Sequence, residues 1–374
     1  MVSLARKNLF HDRLRFAITV SGVAFAVTLV LVQVGLFMGL LGKSTVTIEN
    51  CNADIWVTSR ETPNVDFAHT FPETNVLRVR GVAGVARADN LIVQFMNIQL
   101  PTGAEEGSLV YALEDFSAWN LPWRVEGGAI EDLRRGSYIM MDASAERRYG
   151  RFDVGEYREM LGRRFKIIGR TRDAVSFTTT PIVFMDFHTA QEQLQTLQGK
   201  AQYILVKLEP GADRSAVMAE IRRRLPYNDV HTKDEWARRS RSYWVVSTGL
   251  GMNMGITVFL GVLVGIVVVA QTLYTSAVEH VKEFGTVKAI GGSNFDIYRI
   301  LGEQALVAAL VGFVLGAALS FAMRPLMAKL FLTVLITPGF TAAVFVGTVL
   351  MCLGAAMLSF RRVAGIDPAL VFRA

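Results

Sequence analysis

The segment Gly39–Thr45, GLLGKST, is the part of this chain that most resembles a reactive motif, because it ends like a phosphate-binding loop. A complete loop also needs a glycine five positions before Gly42, and Phe37 occupies that position. A strand should precede the loop, whereas this segment ends a long apolar run. No other GxxxxGK motif followed by Ser or Thr occurs in the sequence. We therefore predict that this chain does not itself hydrolyse ATP.

Side chains that serve as nucleophiles or metal ligands are present, but they are not grouped into a motif. The sequence has no G-x-S-x-G, HExxH or CxxC spacing, and its five histidines are scattered. Cys51 lies in a polar region and Cys352 in an apolar run, so the two cysteines do not form a disulfide framework. We predict no catalytic residue, no metal site and no cofactor on this chain.

Four long apolar runs dominate the chain, which is 51% hydrophobic and has a mean hydropathy of +0.34. The first run is long enough to cross a bilayer. The runs are Phe16–Gly42, Gly249–Val278, Ala305–Met323 and Thr341–Phe360. The first exceeds a signal-peptide core and lacks a following A-x-A cleavage site, so we predict a retained span. The predicted spans are 16–42, 249–278, 300–324 and 341–360, and their recurrent Gly and Ala favour close helix packing.

Lys and Arg residues predict which side of the membrane each segment faces. They cluster before span one, between spans two and three, and after span four: Arg6, Lys7, Arg13, Arg15, Lys282, Lys288, Arg299, Arg361, Arg362 and Arg373. We therefore predict that segments 1–15, 279–299 and 361–374 are cytoplasmic, and that the domain 43–230 and the short loop 325–340 are periplasmic. This placement of the +6 net charge favours a topology signal over nucleic-acid binding.

The long region between spans one and two predicts an α+β domain. Two segments alternate like half-buried strands, Ala53–Ser59 and Asn90–Leu100, and Gln202–Leu208 reads as a further strand. A helix then follows, with Val217, Ile221 and Leu225 on one face. Residues 102–199 contain short strands and glycine-bounded turns, which favour a separate lobe. The predicted fold class is an α-helical membrane protein with four transmembrane helices plus a large α+β periplasmic domain.

Residues 231–248 predict an amphipathic stalk helix that leads into span two. Trp236, Tyr243 and Trp244 are placed like an interfacial aromatic belt, with arginines between them. Two interpretations stay open: a helix continuous with span two that acts as a lever, and a simple membrane anchor.

Polar residues in and beside the spans are costly in lipid. For Gln33, Gln271 and Glu303 we favour hydrogen bonds between helices over a role in substrate binding.

The charged segment 279–299, EHVKEFGTVKAIGGSNFDIYR, predicts a short helix, a sharp corner and a second helix. Gly291-Gly292 ends the first helix, and Ser293 is a good N-cap for the second. Phe284 is expensive to leave in water, so it either docks on a partner protein or lies in the lipid interface.

These motifs resemble the FtsX-like, MacB-type ABC transporter permeases, and more narrowly the DevC-type permeases without a fused ATPase domain. The resemblance covers essentially the whole chain and is carried by SLARKNLFHDRLRFAITVSGVAFAV, ADIWVTS, VKEFGTVKAIGGS and RRVAGIDPALVFR. It implies a two-lobed periplasmic domain, with one lobe from 53–100 and 202–230 and an inserted lobe at about 102–199. It also implies a cytoplasmic coupling motif that docks on the ATPase: Glu283, Phe284, Gly285, Lys288, Ala289, Gly291 and Gly292.

The resemblance further implies an assembly in the bacterial inner membrane. Two copies of this chain would work with two copies of a separate ATPase that binds ATP and Mg. ATP-driven closure would move the periplasmic domains as levers, which is called mechanotransmission. A periplasmic membrane-fusion adaptor, an outer-membrane channel and a lipid, glycolipid or other amphipathic cargo are expected. Two alternatives stay open: activation of a cell-wall hydrolase without transport, and release of lipoproteins.

Overall fold

The computed structural model describes residues 13–178, 180–279, 293–330 and 332–363. The chain divides into two compact units. The outer unit is Leu40–Leu250, and the membrane unit consists of the residues up to Gly39 together with those from Gly251 onward.

The described residues form helices and strands that we number in chain order. The helices are α1 Arg13–Lys43, α2 Val46–Asn50, α3 Asn75–Arg80, α4 Glu146–Tyr149, α5 Phe187–Gln193, α6 Arg214–Arg224, α7 Lys233–Ser242, α8 Leu250–Glu279, α9 Asn294–Lys329 and α10 Pro338–Val363. The strands are β1 Ile55–Ser59, β2 Phe71–Pro72, β3 Val85–Gln99, β4 Glu105–Leu113, β5 Tyr138–Asp142, β6 Tyr157–Met160, β7 Arg163–Thr171, β8 Ile182–Asp186, β9 Lys200–Ala201, β10 Tyr203–Leu208 and β11 Asn228–Thr232. Short 3-10 turns occur at Ile130–Arg135, Ala143–Ala145 and Gln195–Leu197, and a π-helical turn at Tyr243–Ser247.

Helices α1, α8, α9 and α10 are the four within the described residues that are long and apolar enough to cross a membrane. Their most apolar stretches have mean hydropathies of 2.3, 2.5, 2.4 and 2.1. Four such helices, with the α+β unit between the first and second, confirm the predicted fold class.

The outer unit is built on a nine-stranded sheet with the order β11-β1-β10-β3-β4-β8-β5-β7-β6. Strand β6 also pairs back onto the end of β3, through Ile98 with Met160 and Gln99 with Glu159. Six neighbouring strands of the sheet, β3, β4, β8, β5, β7 and β6, therefore close into a ring. Strands β10, β1 and β11 extend the sheet beyond this ring. The long strand β3 belongs to both parts, so one sheet runs through the two lobes that the sequence predicts.

Strand β1 is buried on both faces, which corrects the prediction of a half-buried strand at Ala53–Ser59, whereas β3 is buried on both faces at its centre and alternates from Phe95 to Gln99 as predicted. In β1, Ile55 and Val57 join one hydrophobic cluster, whereas Trp56 between them joins a second cluster on the opposite face. Helices α3 and α6 contribute to the first cluster, and α2 and α7 to the second. Apolar residues in consecutive positions are what a strand covered on both faces requires.

The helix predicted after Gln202–Leu208 is confirmed as α6. Asp213 caps it by accepting hydrogen bonds from the backbone N–H groups of Ser215 and Ala216, at 2.9 and 3.4 Å. Val217, Ile221 and Leu225 are buried as the helical spacing predicts.

Candidate functional site

The coupling residues predicted from the sequence lie outside the residues that the structure describes. They are Glu283, Phe284, Gly285, Lys288, Ala289, Gly291 and Gly292. The helix α9 begins at Asn294, directly after Ser293, as the capping pattern predicts. The structural information on this region therefore comes from the helices on either side of it.

The end of α8 and the start of α9, which overlap the two ends of the predicted coupling segment 279–299, pack against each other. Ala277, near the end of α8, forms a buried cluster with Ile297 and Leu301 at the start of α9. Tyr274 and Ile300 cover this cluster. The end of one helix and the start of the next are thus held together by apolar contacts.

A bidentate ion pair attaches the start of α1 to the same place. The guanidinium of Arg15 donates to both carboxylate oxygens of Glu279, the last residue of α8, at 2.5 and 2.8 Å. Two parallel N–H···O bonds fix orientation better than a single contact does. The start of α1 and the end of α8 are therefore linked where the predicted coupling segment begins.

Helix α1 packs against its neighbours at glycine positions. A Cβ atom added to Gly316 of α9 would lie 2.7 Å from the carbonyl oxygen of Ala24, and one added to Gly265 of α8 would lie 3.0 Å from the Cβ of Ala26. The Thr28 hydroxyl donates to the carbonyl oxygen of Gly316 at 3.1 Å. Small residues that allow such approach are typical of helix interfaces in lipid, and the recurrent glycines in the sequence predicted them.

The polar residues of the spans have different environments. Gln33 of α1 donates from Nε2 to the sulfur of Met254 in α8 at 2.9 Å, so the predicted bond between helices is confirmed for it. Glu303 pairs with Arg299 of its own helix at 3.5 Å. Gln271 is exposed on α8, and the structure shows no bond between helices for its side chain within the described residues.

Within the outer unit, the segment that follows α1 in the chain is bonded to the segment that precedes α8. Arg241 of α7 forms an ion pair with Glu49 of α2 and donates to the Thr45 hydroxyl at 3.3 Å. The ammonium of Lys233, at the start of α7, donates to the carbonyl oxygen of Cys51 at 2.8 Å. The two connections of the outer unit therefore meet at one place within it.

The predicted stalk helix is shorter than residues 231–248. His231 lies in β11 opposite Trp56 of β1, and the helix α7 begins only at Lys233. A capping box starts it: Thr232 accepts from the N–H of Glu235 at 3.2 Å, and the Glu235 carboxylate accepts from the N–H of Thr232 at 2.9 Å. The second bond lowers the pKa of Glu235.

The stalk also does not continue as one helix into α8. After α7 comes the π-helical turn Tyr243–Ser247, closed by a bond from the N–H of Thr248 to the carbonyl oxygen of Tyr243 at 3.3 Å. Gly249 then has a φ of +70°, a conformation that favours glycine. Of the two interpretations of the stalk, the continuous lever is therefore wrong.

The prediction of an interfacial aromatic belt is wrong for both tryptophans, because they pack inside the outer unit. Trp236 of α7 is fully buried and stacks on His231, with ring centroids 5.2 Å apart. Trp244 stacks on Phe177 at 3.8 Å. The sequence pattern gave no means to distinguish an aromatic that faces lipid headgroups from one that faces a sheet.

Two sequence-family models match this chain. The MacB-like periplasmic core domain matches residues 16–224, more than half of the chain, and the FtsX-like permease C-terminal domain matches residues 255–368. The chain belongs to the MacB/FtsX-type permease family. This multi-pass membrane protein is an ABC transporter permease.

Relatives of the permease cover nearly its full length. An uncharacterized ABC transporter permease of Mycobacterium bovis is 27% identical over 365 residues, which are 96% of this chain and 95% of the relative. One from Mycobacterium tuberculosis is 25% identical and spans 100% of this chain and 99% of its own length. The periplasmic region of MacB from Actinobacillus actinomycetemcomitans is a structural neighbour, with 10% identity and a TM-score of 0.40 over 50% of this chain and 92% of its own.

Metal ligands are not grouped in the described part of the permease. No set of three or more His, Cys, Asp or Glu side chains lies close enough to hold a metal ion within those residues. An open polar cavity of about 780 Å³ in the outer unit is lined by charged residues that pair with one another. Arg80 pairs with Asp89 and Glu114 at 3.0 and 2.8 Å, and Arg163 with Glu192 at 2.8 Å.

A buried acid in the outer unit of the permease has no counterpart among the sequence predictions. Asp66 is 4% exposed, and burial raises the pKa of its carboxyl to about 7 although the Tyr111 hydroxyl beside it acts in the opposite direction. Its Oδ2 atom has no hydrogen-bond partner within the described residues. Asp66 lies in a loop without periodicity, so its burial could not be read from the sequence.

Proposed function

We propose that this permease transmits the conformational changes of a separate ATPase across the membrane to the outer unit. The segment 279–299 is the docking element for that ATPase, and Phe284 is its apolar contact. The permease moves the outer unit, and it does so without an ATP site of its own.

The packing of Ala277 against Ile297 and Leu301 is the observation that carries this proposal. A docking element transmits force only if its ends cannot move independently. The buried cluster joins the ends of α8 and α9, and the Arg15–Glu279 pair adds α1 to them. A push on the segment 279–299 therefore reaches three spans together.

The ties within the outer unit support the same role at the other end. Helices α1 and α8 lead into the outer unit through Thr45–Cys51 and Lys233–Leu250, and Arg241 and Lys233 connect these two segments. Relative motion of α1 and α8 would thus act on one site at the base of the sheet.

The length of the relatives supports a separate ATPase. The Mycobacterium bovis permease aligns over 95% of its length with 96% of this chain, so that relative has no room for an additional ATPase domain. We propose two copies of this chain with two ATPase subunits, which bind the ATP and Mg. The exposed Gln271 supports the pairing of two copies, because a polar side chain that faces lipid is costly and a second copy would provide a partner.

The remaining features of the proposal follow the charge pattern and the family. The termini and the segment 279–299 face the cytoplasm, because lysines and arginines cluster there. The protein then lies in the inner membrane with its outer unit in the periplasm. There the outer unit can reach an adaptor and an outer-membrane channel. The spans have few polar residues, so an amphipathic cargo is moved by the outer unit rather than through a polar channel between the helices.

The test is the replacement of Phe284 by Asp, by Ala and by Leu in the full chain. We expect Phe284→Asp and Phe284→Ala to uncouple ATP hydrolysis from transport, and Phe284→Leu to preserve coupling because it keeps an apolar contact. Coupling is measured as the dependence of ATPase rate on the permease in nanodiscs, after the ATPase has been identified by copurification and mass spectrometry. Normal coupling in Phe284→Asp would rule out docking through this residue.

The copurification itself distinguishes the alternatives. An ATPase together with a coiled-coil adaptor supports export. An ATPase together with a cell-wall hydrolase would replace export by hydrolase activation, and a second, unlike permease would indicate lipoprotein release. No ATPase at all would refute the proposed docking element.

A further inference from the structure

The loop Asn64–Phe67 of the outer unit joins a buried acid to the turn that precedes α8. Its conformation is held by a side chain that bonds to the backbone: the Asn64 Oδ1 atom accepts from the N–H groups of Asp66 and Phe67 at 2.8 and 3.0 Å. The Tyr203 hydroxyl lies 3.0 Å from the carbonyl oxygens of both Asn64 and Val65. The Asp66 carboxyl is thereby held against the sheet, next to Tyr111 of β4.

Phe67, the next residue, contacts the stalk. Its ring centroid is 5.8 Å from that of Trp244 and 6.2 Å from that of Tyr243, and both belong to the π-helical turn. Trp244 also stacks on the ring of Phe177, with centroids 3.8 Å apart. A movement of the loop would therefore remove one of the three aromatic contacts of Trp244, which are with Phe67, Phe177 and Tyr243.

Among the residues that the structure describes, the groups around Asp66 provide no cation for its charged form. From the sheet, Tyr111 and Tyr203 act on it, and burial raises the pKa of each, so both stay neutral. From the α2 side, Thr47 bonds with Tyr111, and burial raises the pKa of the Cys51 thiol to about 12. The nearby charges are engaged elsewhere: Lys233 with Cys51, Lys207 with Asn52 and Asp54, and Arg241 with Glu49.

A carboxylate in such a place is costly, because burial without a partner disfavours the charged form. Burial raises the pKa of Asp66 to about 7, so the carboxyl changes its charge near neutral pH. The acid is therefore neutral in mildly acidic surroundings and ionised in mildly alkaline ones.

We propose that Asp66 is a proton-operated latch on the stalk: the protonated loop Asn64–Phe67 holds Trp244 and the π-helical turn in place, and ionisation of Asp66 moves the loop toward water and frees the turn. The step is the loss of one proton from the carboxyl to bulk water. This inference rests on the proposed function, since the turn lies on the path by which α8 would act on the outer unit. It predicts that the outer unit is held more firmly at low pH.

The test is fluorine NMR of the full chain in nanodiscs, with 5-fluorotryptophan in place of tryptophan. The Trp244 resonance is assigned by its loss in Trp244→Phe, and it is followed from about pH 5.5 to about pH 8.5. We expect one titration with a midpoint near 7 in the wild type. In Asp66→Asn, which imitates the neutral acid, we expect the resonance to stay at its low-pH position.

Two further variants keep the test decisive. Asp153→Asn removes an acid whose side chain is 90% exposed. In this variant the Trp244 resonance should titrate as it does in the wild type. Phe67→Ala keeps the acid but removes the ring that touches Trp244, and it should abolish the response. A wild-type resonance that does not move, or a titration that survives in Asp66→Asn or in Phe67→Ala, would overturn the latch. No ATPase is present in this experiment, so its failure would leave the proposed function untouched.

Discussion

The contact between α1 and α9 yields a prediction in which two similar substitutions have effects of opposite sign. A Cβ added to Gly316 would lie 2.7 Å from the carbonyl oxygen of Ala24 and 2.8 Å from the Cβ of Val27. Ordinary carbon contacts are about 3.5–4.0 Å, so Gly316→Ala must push the helices apart by roughly 1 Å. It must also stretch the bond from Thr28 to the Gly316 carbonyl oxygen. We expect a loss of about 1–3 kcal/mol of stability, as for overpacked cores.

Gly347 of α10 is the matched control. No atom would lie within 4 Å of a Cβ added there. Alanine is favoured over glycine inside a helix by about 1 kcal/mol, so Gly347→Ala should be neutral or stabilising.

The assay is the fraction of full chain that remains monodisperse after heating in mild detergent, followed by fluorescence-detected size-exclusion chromatography. Gly316→Ala should lower the apparent midpoint, and Gly347→Ala should not. Equal midpoints for the two variants, or a Gly316→Ala midpoint at the wild-type value, would refute the close approach of α1 and α9.

Three further predictions concern the ionisable and capping groups. Asp66 has a raised pKa, so between its unfolded value of 3.8 and about 7 the unfolded chain has lost a proton that the folded chain retains, and stability falls as pH rises through this window. Asp66→Asn should remove this dependence, which reaches about 4 kcal/mol above pH 7. The measurement is thermal unfolding as a function of pH, and a profile that Asp66→Asn leaves unchanged would contradict the burial of the acid. Arg15→Glu and Glu279→Arg should each destabilise by up to about 1 kcal/mol, because the pair is partly exposed, and the double swap should recover the loss in a double-mutant cycle. If the swap is no better than either single variant, the two side chains do not pair. Thr232→Ala should cost about 1 kcal/mol and speed hydrogen exchange in the first turn of α7, whereas unchanged exchange would show that the cap is dispensable.

The features that the sequence predicted well are those with a local physical cause. The spans follow from apolar length alone, and α6 follows from the spacing of Val217, Ile221 and Leu225. Gln33 bonds across helices because an amide in lipid must find a partner nearby. The coupling motif around Phe284 lies outside the described residues, and its role stays a prediction.

The features that the sequence predicted poorly depend on contacts between distant segments. Trp236 and Trp244 have the composition of a membrane belt, but β10, β11 and the segment around Phe177 bring other aromatic rings against them. The stalk was expected as one helix from residue 231, yet the pairing of His231 with Trp56 extends β11 through the predicted first turn.

By itself, then, the sequence determined how many times this permease spans the membrane, which segments are apolar and where its charges stand, because these depend on composition along a continuous stretch. Only the tertiary structure decided that the sheet is covered on both faces, that Asp66 is buried without a cation, and that Arg241 joins the two connections of the outer unit. Those properties arise from residues far apart in the chain, whose mutual burial and pairing exist only once the chain has folded.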